Sequence, residues 1–309
     1  MQTAHLFPVQ GSQCVGIGQA LAHEFPAARA VFAEAYDILG FRLSELCFQG
    51  PLETLTETRN AQPAILAASI AALRAWQATQ PAAPAADCLA GHSLGEYSAL
   101  VAAGALRFPD AIRLTRVRGE LMARAGMARP GSMAAVLKLA DEQVTAICAQ
   151  AAAEANDVVQ VANYNSPGQV VISGAPAGVA AATALAKAAG GRVIPLAVSV
   201  AAHSALMASA AQEFAAAVAA TSFVAPVAPV IGNVRAAPLE TAEAIREELV
   251  AQLTAPVRWT ASIVRMADAG VVRFIEFGPG NVSTGLVKRI VASAETANIA
   301  VPTDIRGAE

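Results

Sequence analysis

The strongest signal for the fold of this 309-residue chain is the segment Cys88-Leu89-Ala90-Gly91-His92-Ser93-Leu94-Gly95. Its three apolar residues, Cys88 to Ala90, predict a short buried strand, and a helical segment from about Tyr97 to Ala105 follows the Gly-x-Ser-x-Gly pattern. A strand that turns sharply into a helix at this pattern is typical of a nucleophile elbow, in which the glycines avoid clashes and the serine side chain points out of the sheet. We therefore predict that Ser93 is a nucleophile; the alternative is a chance match in a Gly/Ser turn.

Strand-like and helix-like segments alternate on both sides of this predicted elbow. The first strand is predicted at Ala4–Phe7 and a buried strand at Val271–Phe277. Helical patterns run from about Gly16 to Leu39, from about Gln62 to Gln77 and, as the final helix, from about Val282 to Ala294. Such alternation indicates an α/β fold with a largely parallel sheet.

The middle of the chain follows a different pattern. Strand, helix, strand, strand, helix and strand are predicted in turn at Met133–Leu139, Asp141–Glu154, Val158–Asn163, Gln169–Ser173, Pro176–Ala189 and Arg192–Val200. The order βαββαβ is the ferredoxin-like split motif. We therefore predict a small domain of residues 131–199, inserted into a larger α/β domain formed by residues 1–130 and 200–309.

The composition excludes several classes of protein. Hydrophobic residues make up 55% and charged residues 15%, which excludes a disordered chain. The net charge of −3 is a poor match to nucleic acid. The four cysteines lack CxxC spacing, so we expect neither a metal site nor disulfides, and a reducing cytoplasm fits. Long uncharged runs are interrupted by polar residues and proline, and the amino terminus shows no signal-peptide pattern, so we expect no membrane segment.

A nucleophilic serine needs a base, and the chain has four histidines. His5 lies in the first predicted strand, His23 lies on a surface-like helix, and His92 adjoins the nucleophile and would point elsewhere. By elimination His203, at a predicted strand-to-loop exit, is the candidate base; a structural histidine is the alternative. No acidic third member is evident, so a main-chain carbonyl or a neutral amide would orient the imidazole.

A cluster of arginines follows on the next predicted helix, at Arg113, Arg116 and Arg118. Arginines on helices usually face solvent. One that turned inward would anchor a carboxylate with two parallel hydrogen bonds. The residues alone do not decide which arginine that is.

With these residues in place, the chain resembles malonyl-CoA:acyl-carrier-protein transacylases over almost its whole length. The matching motifs are Phe7-Pro8-Val9-Gln10-Gly11-Ser12-Gln13, Gly91-His92-Ser93-Leu94-Gly95-Glu96-Tyr97-Ser98, Arg116-Val117-Arg118-Gly119, Ala162-Asn163-Tyr164-Asn165-Ser166-Pro167-Gly168-Gln169, Ser199-Val200 leading to His203, and Phe277-Gly278-Pro279-Gly280. The resemblance implies a hydrolase-like α/β core with a ferredoxin-like insert. One departure is Val9, where the family usually has glycine.

The resemblance also implies roles for individual residues. Ser93 is expected to take the malonyl group and His203 to act as base and then as acid. Gln10 and Leu94 are expected to donate oxyanion-hole N–H groups, and Arg118 to bind the free malonyl carboxylate.

Further residues are implied around this centre. Gln252 occupies the position whose main-chain carbonyl orients the histidine, which would explain the missing acid. Asn163 and Asn165 match positions near the cleft between the two predicted domains, and together with His92 they are candidates for substrate binding.

The expected activity is transfer of a malonyl group from malonyl-CoA to the phosphopantetheine thiol of an acyl carrier protein, through a malonyl-serine ester. The protein would bind no cofactor of its own and act as a monomer. Two alternatives stay open at this point: a serine hydrolase that cleaves acyl thioesters on the same elbow, and a non-catalytic docking subunit with the same fold.

Overall fold

The computed structural model describes residues 2–81, 85–198 and 200–307. Ser199, part of the motif that precedes His203, lies outside the described residues. No helix in the described ranges is both long enough and apolar enough to cross a membrane.

The described residues form ten strands and fourteen α-helices. The strands are β1 (Gln2–Phe7), β2 (Cys88–Gly91), β3 (Ser132–Leu137), β4 (Val159–Ser166), β5 (Gln169–Gly174), β6 (Arg192–Pro195), β7 (Val230–Ile231), β8 (Pro238–Leu239), β9 (Val271–Phe277) and β10 (Glu295–Ile299). The helices are α1 (Gln19–Glu24), α2 (Pro26–Leu39), α3 (Leu43–Gln49), α4 (Leu52–Thr56), α5 (Thr58–Thr79), α6 (Gly95–Ala102), α7 (Phe108–Ala128), α8 (Asp141–Ala155), α9 (Pro176–Ala188), α10 (Ala208–Ala219), α11 (Ala242–Ala251), α12 (Trp259–Asp268), α13 (Val282–Ile290) and α14 (Pro302–Arg306).

The larger sheet has the strand order β10-β9-β1-β2-β7-β8. Its pairs are parallel except for β7 with β8, which confirms the predicted α/β fold with a largely parallel sheet. The central strands are short and buried, as expected for a parallel sheet covered by helices on both faces. Phe7 pairs with Gly91, so the chain leaves β1 and β2 at the same edge.

The second sheet is antiparallel and has the order β4-β5-β3-β6. Helices α8 and α9 cover it and share an apolar core with its strands, including Val144, Ile172 and Val179. Main-chain hydrogen bonds join β4 to the segment before α12. The Tyr164 N–H donates to the Val257 carbonyl at 2.9 Å, and the Val257 N–H donates to the Ala162 carbonyl at 2.8 Å.

Proline accounts for the different bounds of two of the predicted helices. The segment predicted as one helix from Gly16 to Leu39 is two helices, because Pro26 lacks an N–H and Phe25 before it is extended. Helix α5 begins at Thr58 rather than near Gln62, which places Pro63 in the interior of the helix instead of in its first turn.

The proline in α5 leaves the Arg59 carbonyl without its helical donor. Arg116 of α7 donates to that carbonyl at 3.2 Å. A contact between two helices thus compensates for the missing N–H and allows α5 to continue through Pro63.

The end of the chain also differs from the prediction. Helix α13 ends at Ile290 and is not the final element, because β10 and α14 follow it. Strand β10 lies at the edge of the larger sheet, and only Ile299 of its five residues is buried. A mostly polar edge strand lacks the apolar run that identified the buried strand β9.

The turn between β2 and α6 depends on two glycines in close contact. A Cβ atom on Gly91 would lie 1.9 Å from the Gly95 carbonyl carbon, and one on Gly95 would lie 2.3 Å from the Phe7 carbonyl oxygen. Both contacts are with backbone, which cannot move aside without displacing β1 or α6. The first glycine therefore permits the turn, and the second lets α6 pack against the end of β1.

We expect Gly95→Ala to destabilise the fold by about 2 kcal/mol or more, because overpacking against backbone forces a displacement. Gly285→Ala is the matched control: Gly285 lies exposed within α13 and nothing surrounds its Cβ position within 4 Å. That variant should be neutral or more stable by up to about 1 kcal/mol, the helix preference of alanine. Urea unfolding followed by circular dichroism measures both, and equal effects would contradict the packing argument.

Candidate active site

The elbow places Ser93 in the left-handed region of the backbone, with φ of +52°. Such a conformation is disfavoured for any residue with a Cβ, and nucleophile elbows commonly carry it. The side-chain amide of Asn233 spans the turn: its Oδ1 accepts from the Ser93 N–H at 2.6 Å and its Nδ2 donates to the Gly91 carbonyl at 2.8 Å. Ser93 is only 7% exposed.

The structure brings His203 into contact with Ser93, as predicted. The His203 Nε2 lies 2.8 Å from the Ser93 Oγ, and the His203 Nδ1 lies 2.7 Å from the main-chain carbonyl oxygen of Gln252. A carbonyl only accepts, so Nδ1 carries the proton and Nε2 presents its lone pair to the serine hydroxyl. Burial, with a smaller contribution from the Arg118 charge, lowers the pKa of His203 to about 3. The imidazole is therefore neutral at neutral pH.

Arg118 is the arginine of α7 that turns inward, and it is 1% exposed. Its Nη1 donates to the Gln62 Oε1 at 2.9 Å, and its Nη2 donates to the Gln252 Oε1 at 2.9 Å and to the Ser93 Oγ at 3.2 Å. Among the described residues no carboxylate oxygen lies within 4.0 Å of its nitrogens. A buried guanidinium with only neutral partners is well suited to an anionic ligand.

The Gln252 side chain joins three parts of the site. Its Oε1 faces Arg118, and its Nε2 donates to the Ser93 carbonyl at 3.1 Å and to the Glu96 Oε2. Glu96 is fully buried, and burial together with the nearby Glu248 raises its pKa well above the ordinary value. The protonated form of Glu96 is thereby favoured, which keeps negative charge away from Arg118.

Two main-chain N–H groups, one after β1 and one after β2, are candidates for an oxyanion hole. In the described part of the chain, neither the Leu94 nor the Gln10 N–H donates a hydrogen bond. Leu94 begins the first turn of α6, and Gln10 lies in the turn that leaves β1 at the same sheet edge.

Val9 adopts no positive φ in this turn; the first positive φ falls at Gly11, with +104°. The valine therefore fits the turn without backbone strain.

The remaining candidate residues lie where the two sheets meet. The His92 Nε2 is 2.8 Å from the Asn165 Oδ1, and the His92 ring packs 5.3 Å from the Trp259 ring. Burial lowers the pKa of His92 to about 4. Asn163 is buried on β4 and its side chain makes no hydrogen bond within the described ranges. The structure thus joins His92 to Asn165 but does not join Asn163 to the Ser93–His203 pair.

Four further polar side chains hold the site and were not predicted from the sequence: Gln62, Glu96, Gln160 and Asn233. Asn233 follows the buried apolar pair Val230-Ile231, and a polar residue after a buried strand is a signal that could have identified it. Gln62 and Gln160 lie inside a helix and a strand, where the sequence pattern does not separate them from other glutamines. Within the described residues, no cluster of three His, Cys, Asp or Glu could hold a metal.

A serine paired with a neutral histidine on a strand-to-helix elbow is the arrangement found in enzymes that use a nucleophilic serine. Comparisons with known proteins identify the family. A family model described as acyl transferase domain matches residues 4–307. The chain belongs to this family and is an acyltransferase.

Named relatives agree with this assignment. The malonyl CoA-acyl carrier protein transacylase of Escherichia coli strain K12 is 46% identical over 308 residues, 99% of this chain and 98% of the relative. The protein of the same name from Haemophilus influenzae is 46% identical over 297 residues, 96% of this chain and 94% of the relative. The resemblance to malonyl-CoA:acyl-carrier-protein transacylases is therefore confirmed.

Solved structures show the same fold. An acyl carrier protein S-malonyltransferase from Vibrio cholerae superposes with a TM-score of 0.96 at 44% identity, covering 100% of both chains. A malonyl-transacylase in complex with its type II polyketide synthase acyl-carrier protein superposes with a TM-score of 0.95 at 44% identity, covering 100% of this chain and 99% of that one.

The pKa of His203 predicts an unusual pH dependence for the reactivity of Ser93. The free base is lost only as the pH falls towards about 3, so labelling of Ser93 by a fluorophosphonate should vary little from pH 8 to pH 5. The unfolded histidine titrates near its ordinary value of 6.5, so folding stability falls as the pH drops below that value. Circular dichroism at each pH defines the native range.

The control for this measurement is His203→Ala, which should label about 100-fold or more slowly because the base is gone. Ser93→Ala should not label. A labelling profile with a midpoint near 6.5 would contradict the conclusion that His203 is held desolvated.

Proposed function

We propose that the protein transfers a malonyl group from malonyl-CoA to the phosphopantetheine thiol of an acyl carrier protein. One observation carries the proposal: Arg118 is buried without an acidic partner among the described residues, and its Nη2 lies 3.2 Å from the Ser93 Oγ. An acyl group on Ser93 that ends in a carboxylate can reach this guanidinium. The names of the relatives, malonyl CoA-acyl carrier protein transacylases, support the same substrate and acceptor.

In the first half-reaction, Ser93 attacks the thioester carbon of malonyl-CoA while the hydroxyl proton passes to the Nε2 of His203, 2.8 Å away. The N–H groups of Leu94 and Gln10 would stabilise the oxyanion, each contributing roughly 3–4 kcal/mol. The C–S bond then breaks, and His203 returns the proton to the sulfur of coenzyme A. A malonyl ester of Ser93 remains.

In the second half-reaction, the carrier-protein thiol gives its proton to His203 and attacks the ester carbonyl. The C–O bond to Ser93 breaks, and the serine oxygen takes the proton back from His203. The cycle is ping-pong, because coenzyme A leaves before the carrier thiol reacts. The carbonyl of Gln252 keeps the same imidazole tautomer in both halves, since it can only accept from Nδ1.

The hydrolase alternative has the same first half-reaction and differs only in using water as the acceptor. The comparisons do not favour it, because the named relatives are transacylases. A complex between a malonyl-transacylase and an acyl-carrier protein among the similar structures supports a carrier protein as the partner here. The names allow fatty-acid or polyketide synthesis, and the fastest-reacting carrier protein would decide between them.

We infer a ferredoxin-like small domain of residues 131–199 within a hydrolase-like core of residues 1–130 and 200–309. The order β4-β5-β3-β6 and the pair of helices that cover one sheet support the small domain. The monomeric state and a cytoplasmic location stay predictions, as do the substrate-binding roles of His92, Asn163 and Asn165.

We expect Arg118→Ala to lower malonyl transfer about 100-fold or more and to leave acetyl transfer nearly unchanged, because only the malonyl group needs the guanidinium. Arg113→Ala is the control on the same helix; Arg113 is exposed and bonded to Asp110. Steady-state rates with malonyl-CoA and acetyl-CoA measure the preference. An unaltered malonyl preference in Arg118→Ala would refute the role of this arginine.

Intact mass after brief incubation with malonyl-CoA tests the reaction itself. We expect a malonyl adduct on the wild-type protein and none on Ser93→Ala, discharged by a holo acyl carrier protein with formation of malonyl-carrier. Accumulation of free malonate without carrier loading would favour the hydrolase. Absence of both adduct and turnover would favour the docking subunit.

A further inference from the structure

Both members of the Ser93–His203 pair have an unusual backbone. Ser93 has φ of +52° and His203 has φ of +58°. The described chain has five non-glycine residues with positive φ, and two of them form this pair. Left-handed conformations of such residues persist only where the surroundings hold them. Each of the two residues is bracketed by hydrogen bonds from one carboxamide side chain.

Asn233 brackets Ser93. Its Oδ1 accepts from the Ser93 N–H at 2.6 Å and its Nδ2 donates to the Gly91 carbonyl at 2.8 Å. Asn233 is 1% exposed, and its main-chain carbonyl accepts from the Arg258 N–H at 2.8 Å, which anchors the backbone of Asn233. These partners also fix the amide orientation, because a carbonyl only accepts and an N–H only donates.

Gln160 brackets His203 from the second sheet. Its Nε2 donates to the His203 carbonyl at 3.2 Å and to the Thr254 carbonyl at 3.0 Å, and its Oε1 accepts from the Ala205 N–H at 3.1 Å. Thr254 lies two residues after Gln252, whose carbonyl orients the imidazole. One side chain on β4 therefore ties the histidine backbone to the segment that sets its tautomer.

We propose that Asn233 and Gln160 are positioning residues that set the distance between the Ser93 Oγ and the His203 Nε2. In each case the side-chain nitrogen donates to main-chain carbonyls and the side-chain oxygen accepts from one main-chain N–H at or beside the residue with the left-handed backbone. Without them either residue can relax out of the left-handed region, which swings its side chain and lengthens the 2.8 Å contact. The acylation reaction used to test this inference rests on the proposed function, whereas the hydrogen bonds of Asn233 and Gln160 do not depend on it.

A small displacement has a large kinetic effect here. Proton transfer from the serine to the histidine needs hydrogen-bond contact, and a misplacement of about 1 Å costs on the order of 100-fold in rate. Binding of malonyl-CoA requires no proton transfer between Ser93 and His203, so we expect its affinity to be much less sensitive to the distance between them. Loss of positioning should therefore appear in the acylation rate rather than in the half-saturating concentration.

The test uses isosteric changes, Asn233→Asp and Gln160→Glu. Each keeps the side-chain size and replaces an N–H donor by an oxygen that faces a carbonyl. Gln77→Glu is the control, because Gln77 is exposed on α5 and its side chain makes no hydrogen bond within the described residues. Single-turnover acylation by malonyl-CoA, followed by rapid quench and intact mass, gives the rate and the half-saturating concentration for each protein.

We expect each isosteric variant to acylate about 30- to 100-fold more slowly at saturating malonyl-CoA, with half-saturation changed less than about threefold. Gln77→Glu should match the wild-type protein. If the melting temperature falls but the folded protein acylates at the wild-type rate, the two amides are merely structural and the proposal is wrong. If the introduced carboxylate prevents folding, Asn233→Ser and Gln160→Met provide the same comparison without added charge. Acylation rates close to the wild-type rate in these two variants would also refute the positioning proposal.

Fluorophosphonate labelling of Ser93 separates this inference from the proposed function, because the probe needs the Ser93–His203 pair but no acyl-CoA. A wild-type protein that labels but forms no malonyl adduct would refute the proposed substrate. Slower labelling of Asn233→Asp and Gln160→Glu would still support positioning in that case. Wild-type labelling rates in both variants would refute positioning whatever the substrate is.

Discussion

The hydrogen bond from the His203 Nδ1 to the Gln252 carbonyl is the interaction on which the rest of the site depends. It fixes the tautomer with a neutral acceptor, where an acidic side chain would add a negative charge. A carboxylate beside His203 would also attract Arg118 and satisfy it internally. Because the acceptor is neutral and burial favours the protonated form of Glu96, the charge of Arg118 stays available to a ligand.

Carboxamide side chains form the hydrogen bonds that surround the Arg118 guanidinium. Arg118 donates to the oxygens of Gln62 and Gln252, so both amides must turn their nitrogens away from it. The Gln252 nitrogen then meets the Ser93 carbonyl and Glu96, while the Gln62 nitrogen faces the Gln10 Oε1 at 3.4 Å. The orientation of one guanidinium is thereby transmitted to the elbow and to the turn after β1. Neutral amides suit this task, because each both donates and accepts without competing for the ligand carboxylate.

Local signals were enough for much of the fold. Strand β9 has the predicted bounds, since a buried apolar run that ends at Gly278 leaves little ambiguity. The elbow was evident because its glycines and serine fall between a strand and a helix within eight residues. Helix α5 was predicted too short, because compensation for Pro63 comes from Arg116 on another helix. Strand β10 was missed, because an edge strand needs no continuous apolar face.

Sequence patterns alone predicted the α/β class, the strand-to-helix elbow, His203 by elimination and, through the motifs, the family. These follow from patterns within short segments or from the small number of histidines. The inward turn of Arg118 and the contacts by which Gln62, Gln160 and Asn233 hold the site are visible only in the folded chain, because their partners lie 25 to 142 positions away along the sequence. A hydrogen bond between distant segments imposes no periodic pattern on the sequence of either segment. Such a contact can therefore be identified only when the two sheets and their helices are seen packed together.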